Sequence, residues 1–321
     1  MSRSCLRRVG DGARLQEQLW PGVTQAEMSV APTLDIYREY TERRTATAAG
    51  TPPTVSVVTI TKNARATLAR AIDSVRRQTF SDLEHIVVDG ASCDGTQELL
   101  ATALRSADYW ISEPDQGISD ALNKGVALAR GAYLQFLHAD DWLSPDQIER
   151  AVEVLERSGS DFAYGDLTFY EADRPVFFYA GDPLYGRAIA RRMPALNHPT
   201  VLARMECFRR IGLFNLQYRC AMDYDWFLRL HLAGGVGTYD PSIRGHMNHD
   251  GISNRRFHQT IRELRAIAVA HGRNPWLAEM EATFRHGKMA LGRLTKTHAR
   301  PLYDLVRKGI NPSFRALKEK E

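Results

Sequence analysis

The chain has 321 residues, 44% hydrophobic and 25% charged, an ordinary globular composition that excludes a wholly disordered or collagen-like chain. That length allows one large domain or two modest ones. The 42 basic and 38 acidic residues leave a net charge of +4, too balanced to argue for nucleic acid as a partner.

Residues 1–53 read as an N-terminal extension, ending in the helix-breaking Gly50-Thr51-Pro52-Pro53. Within it Leu34 to Tyr40 reads either as one helix packed on the body or as part of a disordered leader. Order begins at Val55. Val55 to Ile60 is β-branched and nearly continuous, as a strand buried on both faces should be. Leu68, Ile72 and Val75 then share a helical face. A second strand, His85 to Val88, ends in Asp89-Gly90, and Asp94-Gly95-Thr96 can cap the helix that carries Leu99, Leu100 and Leu104. Tyr109 to Ile111 is a short third strand. Ile118 to Arg130 is a helix stopped by Gly131. Tyr133 to Leu137 is a fourth strand and runs into His138-Ala139-Asp140-Asp141. Ser144 as N-cap and Pro145 at the first helical position open another helix.

Strand and helix alternate four times, which predicts an α/β fold with a parallel, doubly wound sheet and helices on both faces. Ligands in such sheets bind beyond the carboxyl ends of the strands. Those ends carry Thr61, Asn63, Asp89, Asp140 and Asp141. After residue 160 the segments are shorter and aromatic: Phe162–Gly165, Leu167–Tyr170, Val176–Tyr179, a helix at Met222–Leu232, then strands at Gly237–Tyr239 and Ile243–Met247.

Three constellations carry chemistry. Asp140-Asp141 after a buried strand suits a hard divalent cation, or is a solvated turn. Asp89 ends a strand where it can accept from a nucleobase N–H or a ribose hydroxyl, with glycines beside it that permit close approach. Asp223 and Asp225 stand two apart on a helix and cannot share a face. One can serve as a general base while the other caps the helix or pairs with Arg229, or both simply answer the helix dipole.

Taken in order, Val57-Val58-Thr59-Ile60-Thr61-Lys62-Asn63, Val88 to Thr96, Asp120-Ala121-Leu122-Asn123-Lys124-Gly125, Phe136 to Asp141, Asn197-His198-Pro199 and Asp223-Tyr224-Asp225-Trp226 resemble family 2 glycosyltransferases of the GT-A fold, particularly bacterial members that extend polysaccharides or glycolipids. The resemblance covers residues 54–252. It implies a catalytic domain over 54–254, with a nucleotide-binding half at 54–158 and an acceptor half at 159–254. Thr59, Thr61 and Asn63 would line the nucleotide pocket, with Asp89 on the base or ribose. Asn123 and Lys124 would lie near the donor sugar or diphosphate. Asp140 and Asp141 would hold Mg2+ or Mn2+ and the diphosphate. Asp223 would deprotonate the acceptor hydroxyl, and the sugar would invert in one displacement from a nucleoside-diphosphate sugar to a glycan or polyprenyl-linked acceptor.

His138 stands where the family commonly has Asp or Asn. It reads as an extra metal ligand, a hydrogen-bond partner of the diphosphate, or a packed rim residue. His198 and Asp225 are further accessory candidates, and His198 alone reads as structural. The segment Arg244 to Ser253 resembles a Gly-rich loop that folds over donor and excludes water. Two other readings stand beside the enzyme: a silent nucleotide-binding module and a nucleotidyltransferase. Asp140, Asp141 and Asp223 speak against the first, and the glycine-free turn Thr61 to Arg65 against the second.

Residues 255–321 hold 15 Lys/Arg and 6 Asp/Glu, so this appendix carries +9 and the rest of the chain −5. Phe257, Ile261, Leu264 and Ala268 predict an amphipathic helix, and Trp276, Met280, Phe284, Leu291 and Leu294 a second. The appendix either packs on the body or a second subunit, or docks on anionic lipid at the inner face of the cytoplasmic membrane. Homo-oligomers fit the first alternative. Cys5, Cys93, Cys207 and Cys220 lie far apart with no CxxC pair, which predicts reduced thiols. No apolar run reaches transmembrane length, and no apolar region follows Arg3, Arg7 and Arg8 as in a secretory signal, so a cytoplasmic enzyme is expected.

Overall fold

A computed structural model describes residues 31–48, 50–105, 108–189, 196–249, 256–298 and 314–316. Cys5 and the far end of the expected Gly-rich loop lie outside them. A 3₁₀ turn at Leu34–Tyr37 leads into α1 (Arg38–Thr47). Then β1 (Val55–Thr61), α2 (Leu68–Arg76), β2 (Leu83–Asp89), α3 (Thr96–Ala103), β3 (Tyr109–Ser112), α4 (Ile118–Leu128) and β4 (Tyr133–His138) alternate as expected. β1 pairs in parallel with β2 on one side and β4 on the other, and β3 extends β2. The order β3-β2-β1-β4 reverses the winding between β1 and β4, the position where such sheets bind ligands.

The second half continues the same sheet with mixed pairing. It comprises β5 (Trp142–Leu143), α5 (Gln147–Ser158), β6 (Phe162–Glu171), β7 (Arg174–Tyr179), α6 (Tyr185–Ala188), β8 (Leu202–Arg204), α7 (Met205–Ile211), α8 (Met222–Leu232) and β9 (Gly237–Asn248). α9 (Phe257–Ala270), α10 (Pro275–His298) and β10 (Phe314–Ala316) complete it. β8 sits antiparallel between β4 and β6, β7 and β10 lie beyond β6, and β9 runs parallel to β6 and antiparallel to β5.

β1 shows why the sheet is covered on both sides. Val58 and Ile60 point into a core shared with Phe136, Phe162, Phe214, Trp226 and Phe227, while Val55 and Val57 point into one shared with Leu143, Ile148, Val154 and Leu155. Alternate residues of a strand face opposite sides, so a strand apolar throughout needs two cores.

Four local expectations change. The pairs of short segments at 162–170 and 237–247 are each one strand. A register shift between Tyr164 and Asp166 absorbs Gly165, whose missing Cβ would lie 1.9 Å from the Ile243 carbonyl oxygen. α5 begins at Gln147. Ser144 and Pro145 form the turn before it, the Ser144 carbonyl accepting from Gln147 N–H at 3.1 Å and Gln78 Nε2 at 2.7 Å. α4 ends at Leu128 without a glycine cap. Gly131 is needed because a Cβ there would lie 2.5 Å from Ser56 N. α1 is packed on the body: Tyr37 and Tyr40 are buried, and Thr41 Oγ1 donates to the Ala127 carbonyl at 3.0 Å. Cys93, Cys207 and Cys220 are free thiols.

Candidate active site

Strand register assembles one polar rim. Thr61 is opposite Asp89, Asp89 opposite Ser112, and His138 opposite Ile60. The carboxyl ends of β1, β2, β3 and β4 therefore form a single edge at the switch in winding. Thr61 is buried there, and its Oγ1 has no hydrogen-bond partner.

The turn after β4 gathers three ligand-bearing side chains. One ring nitrogen of His138 and one oxygen each of Asp140 and Asp141 lie within 4.8 Å of one another. His138 Nε2 is buried with no hydrogen-bond partner. Asp141 is 2% exposed, and its Oδ1 accepts from Asn248 N–H at 3.2 Å. Burial, and then the neighbouring Asp140, push its carboxyl well above the usual range. Two crowded carboxyls and an unpartnered imidazole nitrogen are a donor set that fits Mg2+ or Mn2+. Trp142 follows at once, stacked on His246 at 5.3 Å and beneath the Arg70 guanidinium at 3.7 Å. No sequence motif marked this aromatic shelf.

His198 lies on the same edge. Its ring stacks on Phe136 at 5.6 Å and meets His138 at 6.3 Å and Phe227 at 6.2 Å. Burial, then His138, pull its pKa down to about 3, so the ring is neutral. Asn197 holds this turn. It adopts the left-handed φ of 39°, and its Nδ2 donates to the Gly165 and Tyr179 carbonyls. Gln135 and Gln147 both donate to the Pro199 carbonyl.

Phe227 leads to Asp223 one turn earlier on α8, since residues i and i+4 share a face. Asp223 is partly buried. Its Oδ1 accepts from Tyr224 N–H at 2.8 Å, and desolvation raises its pKa to about 6. Glu263, a residue that no motif flagged, adds to that rise. One oxygen of Glu263 accepts from Arg219, Cys220 and Ala221 N–H groups at 3.1, 2.7 and 2.9 Å, holding the turn that enters α8.

Several expected residues turn away from the rim. Thr59 is fully buried and bonds His85 Nε2 at 2.9 Å, because it precedes Thr61 by two strand positions. Asn123 makes a two-way clamp on the Phe214 backbone, donating to its carbonyl at 2.8 Å and accepting from its N–H at 2.9 Å. Lys124 donates to the Pro114 carbonyl at 2.8 Å and pairs with Glu113 at 2.9 Å. Both belong to α4, which is buried all round: Lys124 supports the loop after β3 from beneath, and Asn123 holds the turn between α7 and α8. Asp225 is fully buried between Arg229 at 2.9 Å and His271 at 3.1 Å, the pairing reading rather than an accessory role in the site.

Asp89 is at the edge but fully buried. It accepts from Ser92 N–H at 2.9 Å, Ser112 Oγ at 2.6 Å and Ser92 Oγ. Asn63 has a φ of 51° and bonds across to the same turn, accepting from Cys93 N–H at 3.0 Å. Asp94 caps α3 from just outside it, accepting from Thr96 N–H at 3.1 Å. Asp115 sits so close over Gly90 that a Cβ there would lie 2.0 Å from Asp115 Oδ2, which adds a rim carboxylate the motifs did not flag.

The sequence profile of glycosyl transferase family 2 matches residues 56–213. A PGL/p-HBAD biosynthesis glycosyltransferase of Mycobacterium tuberculosis is 35% identical over 182 residues, which cover 55% of this chain and 69% of the relative. An uncharacterized glycosyltransferase of Rickettsia typhi is 25% identical over 229 residues, covering 67% of this chain and 70% of the relative. Among solved structures, residues 1–349 of S. aureus TarS in complex with UDP-GlcNAc align with a TM-score of 0.51 at 15% identity, over 67% of this chain and 66% of that one. The mannosyltransferase PcManGT from Pyrobaculum calidifontis, in complex with GDP-Man and Mn2+, aligns with a TM-score of 0.53 at 18% identity over 94% of both chains. These structural likenesses show a shared fold.

Proposed function

Because the chain belongs to glycosyl transferase family 2 and is a glycosyltransferase, we propose that it moves a sugar from a nucleoside-diphosphate sugar to a hydroxyl of a glycan or lipid-linked acceptor, inverting the anomeric carbon. The observation that carries this reading is Asp223, a partly buried carboxylate whose pKa is raised to about 6. It opens the helix whose Phe227, one turn on, meets His198, and His198 in turn meets His138 of the His138, Asp140 and Asp141 cluster. A carboxyl with a pKa of about 6 is mostly ionised at neutral pH and so free to take a proton, and such a group contributes roughly 10²–10⁴-fold to rate.

Asp223 takes the proton of the acceptor hydroxyl. The freed oxygen attacks the anomeric carbon, and the nucleoside diphosphate leaves from the opposite face with the bonding electrons. His138, Asp140 and Asp141 would hold Mg2+ or Mn2+, which supplies charge neutralisation to the departing diphosphate. Thr61, with its unpartnered Oγ1, and the turns built on Asn63 and Asp89 form the donor side of the rim. The nucleotide-sugar complexes of TarS and PcManGT support a nucleotide-sugar donor. The catalytic domain spans residues 54–254, with α1 packed onto it.

The test is a panel of nucleotide sugars with Mn2+, read by thermal shift and by turnover. The correct donor raises the melting temperature by mass action. Asp223→Asn is expected to keep that donor-induced shift and to lose transfer by roughly 10²–10⁴-fold. Near-normal turnover of Asp223→Asn would overturn the base assignment. No shift with any nucleotide sugar would overturn the donor class.

A further inference from the structure

α10 is folded inside out. Ala278 and Ala282, 3% and 7% exposed, face the body, while Trp276, Leu277, Met280 and Phe284 stand 77%, 56%, 58% and 61% exposed. Trp276, Met280 and Phe284 follow one another at i, i+4 and i+8 and form a stripe with Leu277 at its border. The other exposed large hydrophobic side chains among the described residues, Ile36, Leu184 and Val236, are scattered. Single exposed apolar residues need no explanation, but a contiguous stripe marks an interaction surface.

The helix is held in this orientation. Arg265 pairs with Glu279 at 2.7 Å, Arg273 with Glu281 at 2.6 Å, and the His258 and His286 rings stack at 5.2 Å. These contacts take up Glu279 and Glu281, both acids of α10, and clamp it to α9 and the turn before it. A Cβ at Gly287, on the outward side, would meet nothing within 4 Å. Past Phe284 the chain is strongly cationic: residues 285–321 hold ten Lys/Arg against three Asp/Glu.

Large apolar side chains on one face, followed at once by excess cationic charge, match the boundary of an anionic bilayer. There the apolar groups enter the headgroup region and the cations meet the lipid phosphates. A second copy of the chain fits less well, because it would bring two cationic segments together. We propose that this face of α10 docks on an anionic lipid surface through Trp276, Leu277, Met280 and Phe284. No helix among the described residues is long and apolar enough to cross a membrane, so the contact is peripheral. α9 ties α10 to α8 through Glu263 and His271, so docking holds Asp223 beside a lipid-linked acceptor.

The proposal is tested with the full chain and no substrate, by flotation with vesicles of phosphatidylcholine and phosphatidylglycerol or of phosphatidylcholine alone. The protein is expected to float with the anionic vesicles, less so at high salt, and weakly with the neutral ones. Trp276→Ser, Met280→Ser and Phe284→Ser combined should cut anionic binding at least about tenfold, with the melting temperature read alongside as the control for folding. The idea fails if the full chain stays unbound, or if the triple variant floats equally well. It also fails if light scattering finds a dimer that the triple variant splits, which would make the stripe a contact between copies. Donor-induced thermal shifts on the same preparations report on donor binding, and so on the proposed donor class, separately.

Discussion

Asp223 ionises against its surroundings. Desolvation raises its folded pKa to about 6, against about 4 for an unfolded Asp. Between those values the folded chain keeps a proton that the unfolded chain has lost, so folding stability falls as pH rises through this window. Above pH 6 the cost is complete, up to about 3 kcal/mol for a shift of this size. Two results should follow together. The acid limb of kcat/KM should bend near pH 6, and Asp223→Asn should gain stability relative to wild type between pH 4 and pH 7 in urea titrations. A pH-independent stability difference would show that Asp223 is well solvated. At this scale the sequence marked Asp140, Asp141 and Asp223, because each sits where a buried strand ends or a helix begins. It misplaced Asn123 and Lys124, because a motif does not say which wall of a fully buried helix a side chain faces. Glu263 had no motif, since its role is to accept three backbone N–H groups from a turn more than forty residues earlier.

α9 is the element that fixes the proposed base. Glu263 binds the turn entering α8, and His271 reaches Asp225 one face away from Asp223. Long, strongly patterned elements such as β1, α8 and α9 were legible from periodicity, while the three-residue β8 and the bulged β6 were not, because short or shifted strands break the pattern being read. Glu263→Gln keeps an acceptor but removes the charge that adds to the desolvation-driven rise of the Asp223 pKa. It should therefore move the acid limb of the rate profile to lower pH while changing turnover by less than about tenfold. Glu263→Ala removes the acceptor as well, and losing charge-assisted hydrogen bonds to the turn should cut kcat about 10- to 100-fold with the donor KM unchanged. A limb that stays at the same pH in both variants would reduce Glu263 to a structural brace.

On the scale of the molecule, α1 closes the parallel half of the sheet. Its Arg44 pairs with Glu84 at 2.7 Å deep in the fold, where Glu84 also accepts from Ser56 Oγ at 2.6 Å and from Arg130 N–H at 2.8 Å. Tyr37 donates to Asp120 at 2.7 Å, and Tyr40 bonds Glu113, so one short helix anchors β2, α4 and the loop after β3. Composition left Leu34 to Tyr40 open between a packed helix and a disordered leader, because a polar helix with one buried face carries little hydrophobic signal; here the face is ionic and aromatic. The Glu84 pKa is lowered: burial opposes ionisation, and the hydrogen bonds from Ser56, Arg130 and Arg44 outweigh it. The ion pair therefore stabilises the fold above the unfolded glutamate pKa, and that contribution is lost as pH falls through the folded value. Arg44→Met should cost about 2–4 kcal/mol at pH 7, since it strands a buried carboxylate that keeps only Arg130 as a cation. The deficit should shrink as acid protonates Glu84, and urea midpoints of the two proteins should converge only as pH falls below the ordinary glutamate pKa and through the lowered folded value. If Arg44→Met unfolds at the wild-type midpoint at pH 7, α1 is an ornament on the catalytic domain; if it unfolds earlier and donor binding weakens with it, the helix is part of the unit that positions the rim.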